Sequence, residues 1–363
     1  MSWSGGAQVA LPQNMTLNVS YNGGHAYNIP ESVNINAVDF GSAFLPQNQD
    51  PTVTSTLAGG AAVSANQMRG YRGFGSMTDM LPRGYSNSDF LIIALQRRFA
   101  HGLSFGINDS WLLHQDQPAG ARLQHAADGT WSYRSDQAEA NQLYGNYVPT
   151  AHTFKGYFVY AIPGLTNVGS GFAGQAAKLA TNGWQLSGIW SANTGTAYAI
   201  GTSFQNGAST TTNITGSGDY GGNVSITGNP GSGCSGNLYQ QFNTAAFTPP
   251  AVGSVGLSSP QYPYIRGCFF QDFDVSLQRQ VRIKERVSLS VRLDAFNAMN
   301  QDHITGRNTT MQVTNPTNAT IVNSPFSNGT LVSTRDQPKD AGFGMANGFQ
   351  TARSLQIWAR LVF

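Results

Sequence analysis

"SLQIWARLVF", Ser354 to Phe363, closes the chain. It sets Leu355, Ile357, Ala359, Leu361 and Phe363 on one parity against Ser354, Gln356, Trp358, Arg360 and Val362 on the other. A repeat of two places successive side chains on opposite sides of an extended backbone, so the segment predicts a strand with one continuous apolar face. The chain then stops on an aromatic residue in mid-strand, with neither a polar tail nor a turn.

The same period recurs upstream. "MTLNVSYN" sets Met15, Leu17, Val19 and Tyr21 against Thr16, Asn18, Ser20 and Asn22. "FDVSLQRQVRI" sets Phe273, Val275, Leu277, Val281 and Ile283 against Asp274, Ser276, Gln278, Gln280 and Arg282, with Arg279 the one charge on the apolar side. "VSLSVRLDA" sets Val287, Leu289, Val291, Leu293 and Ala295 against Ser288, Ser290, Arg292 and Asp294. About nine strands are expected, near 1–11, 15–24, 86–99, 103–116, 151–162, 184–195, 270–283, 286–299 and 350–363. Helical stripes of period 3.6 are almost absent.

Composition limits the environment. Charged residues make up 10% of the 363, against about 25% in ordinary soluble domains. Aromatics at 11% and apolar residues at 40% argue against disorder. A net charge of +2 gives no reason to expect nucleic acid as a partner. Many of the 42 glycines fall in Gly/Ser/Thr/Asn runs such as the one before Cys234, which read as loops rather than core. The longest apolar run, "FLIIAL" at Phe90 to Leu95, is far short of the ~20 residues a spanning helix needs. The first Lys or Arg is Arg69, so no signal peptide is expected. Cys234 and Cys268 are either one disulfide in an oxidising compartment or two unrelated thiols.

Strands with one apolar face suit a soluble sandwich or a transmembrane barrel, and the connections choose between them. They are very short near Pro12 to Asn14, Ala100 to Gly102 and Lys284 to Arg286. They are very long near His25 to Tyr85, Asp116 to Thr150, Thr196 to Phe269 and Asn300 to Phe349. Structureless connections beyond ~12–15 residues are unusual in compact soluble domains, whereas outer-membrane barrels combine short periplasmic turns with long extracellular loops. Trp111, Tyr157, Tyr160, Trp184, Trp190 and Trp358 sit in or near strands and are expected in the aromatic girdles. Asp109 falls on the expected lipid face, so it should lie high in its strand or beside a bulge.

The closing strand resembles the C-terminal signal by which the barrel-assembly machinery recognises outer-membrane proteins, carried here by Leu355, Ile357, Ala359, Leu361 and Phe363. The ordered strings "SNSDFLIIALQRRFAHGLSFGINDSW", "HTFKGYFVYAIPGL", "NGWQLSGIWSANTGTAY", "FQDFDVSLQRQVRIKERVSLSVRLDAFNAMNQ" and "FGMANGFQTARSLQIWARLVF" resemble the C-terminal barrel of Oar-like TonB-dependent receptors. "MSWSGGAQVALPQNMTLNVSYNGG" looks like an earlier hairpin of that barrel. The resemblance implies a bacterial outer-membrane location and an all-β antiparallel barrel portion spanning 1–363, incomplete on its own. Such receptors hold a plug inside a barrel of about 22 strands. They capture a small ligand or oligosaccharide on their loops and release it inward when TonB pulls on the plug. No plug, TonB box or N-terminal regulatory-like domain is found, so the TonB system is expected to act only through a part missing from this chain. No cofactor and no enzymatic activity are expected.

Several motifs are decoys. "GSGFAG" at Gly169 to Gly174 and "GSGDYG" at Gly216 to Gly221 fit GxGxxG. The first has no acid between Glu139 and Asp219 to hold a ribose, and reads instead as a connection with one short helix. The second lies in a Gly/Ser/Thr-rich loop. "RGFG" at Arg72 to Gly75 has Ser76 where an RNA-recognition sheet needs an aromatic. "RQVRIKER", Arg279 to Arg286, reads as a hairpin at a membrane rim, with Arg282, Lys284 and Arg286 at headgroup level or facing the periplasm. The six histidines, His25, His101, His114 and His303 among them, lack metal-ligand spacing and are expected in exposed loops or turns. The favoured function is receptor and transporter; the alternative is a non-transporting surface protein, an adhesin or a small porin-like barrel.

Overall fold

The computed structural model describes residues 1–116, 123–125, 131–133, 150–165, 171–205, 211–219, 224–249, 264–284, 287–315 and 318–363. Nine strands form one antiparallel sheet in chain order: β1 (Ser2–Leu11), β2 (Met15–Asn34), β3 (Thr78–Ala100), β4 (Leu103–Asp116), β5 (His152–Ala161), β6 (Trp184–Asn193), β7 (Phe270–Lys284), β8 (Val287–Phe296) and β9 (Ser354–Val362). Gln13 and Asn14, at φ 63° and 60°, turn β1 into β2. His101 and Gly102, at φ 52° and 81°, turn β3 into β4. Positive φ at both central residues gives a turn the twist that flanking strands need. Residues 285 and 286 of the third short connection lie outside the described residues.

The pairing registers sort every strand onto the same two faces. One row runs Leu11, Met15, Arg97, Phe105, Phe158, Gly188, Val275, Ala295, Leu355. It begins at the short-turn end of β1 and finishes at the loop end of β9, the stagger that tilts strands against a barrel axis. A row of the opposite face runs Gln8, Asn18, Ala94, Asn108, Lys155, Ser191, Asp272. The sheet stays open: among the described residues no ladder joins β9 to β1. Both edge strands run toward the short turns, because β1 enters one and β9 leaves a long loop.

Two expectations need correction. The hairpin of β2 and β3 does not end at Gly24 and Ser86; it continues as a two-stranded ribbon to Asn34 and Thr78, past a bulge near Asn28. Pro30 pairs with Pro82 there. Neither has an N–H, so the pair is of the non-hydrogen-bonded kind with both rings directed out of the ribbon, which is allowed because among the described residues no third strand flanks it. Two prolines hide a strand from periodicity.

The long loops are not structureless either. Ile200, Val224, Phe242, Ala246, Phe247, Ile265, Met311, Val313 and Phe343 form one buried cluster drawn from the β6–β7 and β8–β9 connections. Among the described residues one short parallel ladder, Gly201–Phe204 beside Thr310–Asn315, stitches the two connections together. The run before Cys234 contributes Val224, at 3% exposure, to that cluster, and buries Ile214, at 4%, outside it. It is therefore partly core, and this cap holds most of the buried apolar side chains among the described residues. The sulfurs of Cys234 and Cys268 stand at bonding distance inside it. The expected short helix, α1 (Phe172–Thr181), lies between β5 and β6 on the short-turn side, and residues 169 and 170 of the first glycine motif lie outside the described residues.

Candidate functional site

The sheet offers two surfaces and a cap, and the charges define each. Among the described side chains the apolar face carries four acidic or basic residues, all toward its margins. At the short-turn end Arg97 donates from Nε to the Gln13 carbonyl, 3.3 Å. Arg279 donates from Nε to the Asn182 carbonyl, 3.2 Å, and lies over the Trp184 ring. Toward the loop end Asp89 accepts from the Tyr21 hydroxyl, 2.8 Å. Asp109 faces His152 Nδ1 at 2.9 Å across β4 and β5, two pairs below the last of that ladder and three residues before the bulge at Leu112. Trp111, His152, Phe154 and Trp190 stack in sequence beside it. Between these margins the outward side chains are apolar, including Ile107, Leu293 and Ile357. Such a band flanked by aromatics is the outer surface of a membrane barrel.

Trp111, Tyr160, Trp184 and Trp190 share the apolar face as expected, while Tyr157 and Trp358 do not. Tyr157 pairs with Gly106 and Ile189 on the polar face, where its ring lies over Gly106 so closely that a Cβ there would stand 2.6 Å from Cε1. Trp358 pairs with Arg292. Local composition does not reveal which parity faces lipid when both carry an aromatic. The polar face also gathers Ser276, Arg292 and Asp294, with Arg292 donating to the Asp294 carboxylate at 2.5 Å and to Ser276 Oγ at 3.0 Å. A cleft of about 290 Å³ opens at its loop end, lined by Asp272, Asp274, Asn297 and Gln350.

The cap is tied to the β2–β3 loop by one buried ion pair. Arg69 donates to Asp219 with both terminal nitrogens, at 2.8 and 3.0 Å, their side chains 8% and 16% exposed. Asp219 also accepts from the Val38 amide, 2.8 Å. Gly216, at φ 71°, packs against Gly41 closely enough that a Cβ would meet its Cα at 2.6 Å. The second glycine motif is thus a loop clasp, and residues 220 and 221 lie outside the described residues. These partners are 150 residues apart in sequence. One signal was present: Asp219 is the sole acid between Glu139 and Asp272, and Arg69 is the first Lys or Arg. Within the cap, Arg307 is 5% exposed, donates to the Gly233 carbonyl at 2.6 Å and Cys268 Sγ at 3.1 Å, and rests over Tyr198. Burial pulls its guanidinium below the ordinary arginine range.

Histidine placement differs from expectation. Only His101 of the four named is an exposed turn residue; His25 and His114 are half-buried in β2 and β4, and His303 is half-buried near Gln301. Among the described residues no three His, Cys, Asp or Glu side chains gather as a metal site. The side chains of Arg282, Lys284 and Arg286 lie outside the described residues.

A single staggered sheet, apolar outward and polar inward, with rim charges and a folded cap over one end, defines a membrane-spanning β-barrel portion. The family follows from the sequence: the family model of the outer membrane beta barrel domain matches residues 1–356, and this chain belongs to that family. Its place is the bacterial outer membrane, with the short turns periplasmic and the cap outside. No curated protein matches the chain. Among solved structures it is similar to the ferripyoverdine receptor of the outer membrane of Pseudomonas aeruginosa, at 8% identity and TM-score 0.36, covering 99% of this chain and 26% of that one. It is similar to the outer membrane transporter YddB from Escherichia coli, at 9% identity and TM-score 0.38, covering 88% and 30%. For the FrpB iron transporter from Neisseria meningitidis the values are 11%, 0.33, 83% and 27%. The chain spans less than a third of the length of each.

Proposed function

We propose that residues 1–363 are the C-terminal part of the barrel of an Oar-like TonB-dependent receptor. It captures a small ligand or oligosaccharide on its cap and passes it inward when plug and full barrel are present. The observation that carries this reading is the open sheet whose two edges run the same way. Antiparallel closure of such a sheet needs an odd number of further strands, and lipid does not tolerate unpaired edges. Even-numbered barrels, the bacterial pattern, result from that addition. Leu355, Ile357, Ala359, Leu361 and Phe363 act in this reading as the signal read by the barrel-assembly machinery. Cys234 and Cys268 close their bond in the oxidising periplasm.

The test is the DNA for about three kilobases upstream of the Met1 codon, on the order of one receptor reading frame. The expected result is an open frame encoding an odd number of strands and a plug. An in-frame stop directly upstream overturns the import reading and leaves the non-transporting surface protein.

A further inference from the structure

The YRGFG segment, Tyr71 to Gly75, is held as a finger by one buried side chain. Asn36, 1% exposed, donates from Nδ2 to the carbonyls of Tyr71, Phe74 and Gly75 at 3.1, 3.4 and 2.9 Å, and accepts from the Tyr71 amide at 2.9 Å. Gly73, at φ 86°, makes the bend. Arg69 fixes Asn36 from below through the Asn36 carbonyl while its other donors hold Asp219. What the finger presents is Tyr71 at 59% exposure, Phe74 at 63%, and between them Arg72, exposed and without a polar partner among the described residues.

We propose that this finger is a capture point for acidic oligosaccharides, its two rings taking the C–H faces of sugar units and Arg72 forking a uronic carboxylate. Aromatic faces carry negative charge density that attracts polarised C–H groups, and a guanidinium matches a carboxylate with two parallel hydrogen bonds. A protein partner would want a contiguous apolar patch of a few hundred Å² or more, whereas along the segment itself the rings are separated and flanked by Gly70, Arg72, Gly73, Gly75 and Ser76. Single-stranded nucleic acid also stacks on aromatics but needs cations tracking its backbone. Arg72 is the one cation the finger presents, since Arg69 is consumed by Asp219 and the next Lys or Arg in sequence is Arg83, back along β3. The assignment rests on the receptor reading for its outward orientation and names a substrate class for it.

The experiment displays the full protein on cells lacking a working TonB system and measures equilibrium binding of labelled oligogalacturonate, neutral malto-oligosaccharide and single-stranded DNA. The expected result is selective retention of oligogalacturonate that weakens with salt. The pair Tyr71→Ala and Phe74→Ala lowers affinity about tenfold or more. Arg72→Gln brings the acidic probe down to the neutral one and removes the salt dependence. Asn36→Ala reproduces the loss with both rings present, at unchanged surface level. Binding no greater than that of cells without the protein, preference for DNA, or variants that bind like the wild type overturns the assignment. Uptake in TonB-competent cells is read separately, so failure of transport leaves capture standing.

Discussion

Arg69 and Asp219 form the ion pair that joins the β2–β3 loop to the cap. Each is desolvated and each holds further partners, so removing one strands the other. Arg69→Ala is expected to cost the clasp about 3–5 kcal/mol, seen as faster protease nicking of the 35–77 loop on intact cells while the strands stay protected. Asp109 poses the converse problem, an acid on the lipid-facing surface. His152→Ala removes its one described partner and should lower the assembled barrel's stability by about 1–3 kcal/mol, measured as the midpoint of heat dissociation in detergent; His152→Gln should restore part of it. As an anomaly Asp109 was legible in its strand pattern, and its height near the loop end followed from cost alone. Its partner was not, because His152 lies 43 residues away on another strand and only the β4–β5 register brings the two together.

The period-two signal fixed nine elements because each strand faces lipid on one side and a polar lumen on the other, which forces strict alternation. Where that two-sided environment ends, so does legibility. The ribbon beyond Gly24 lacks a lipid face, and the cap buries residues from several loops with no common period. At this scale β9 makes a sharp forecast. Phe363→Ala should reduce the fraction of full-length protein assembled in the outer membrane several-fold, read by surface protease accessibility, whereas Trp358→Phe on the polar face should not. Replacing Cys234 by Ser should loosen the cap by about 2–4 kcal/mol, given a closed loop of this length, while leaving the heat-dissociation midpoint of the strands unchanged.

As a whole molecule, the chain is a sheet with two like-directed edges and a lid of its own making. Expressed alone and purified in detergent, residues 1–363 should show no heat-modifiable shift on a gel, since no closed barrel forms; a shift would mean closure by the described strands or by copies of the chain. Composition foretold the barrel, since a charge-poor chain rich in aromatics suits lipid on one side. It could not foretell the lid, whose hydrophobic cluster is small beside the Gly and Ser that surround it. From Ala26 to Asn34 the ribbon of β2 and β3 runs free of flanking strands among the described residues, a length of about 30 Å at strand rise. The finger at its far end is therefore among the first features met by anything approaching the cell. An antibody or phage fibre seated there would grip the cell from outside without touching the membrane, and escape from it would select changes at Tyr71, Arg72 and Phe74 rather than in the strands.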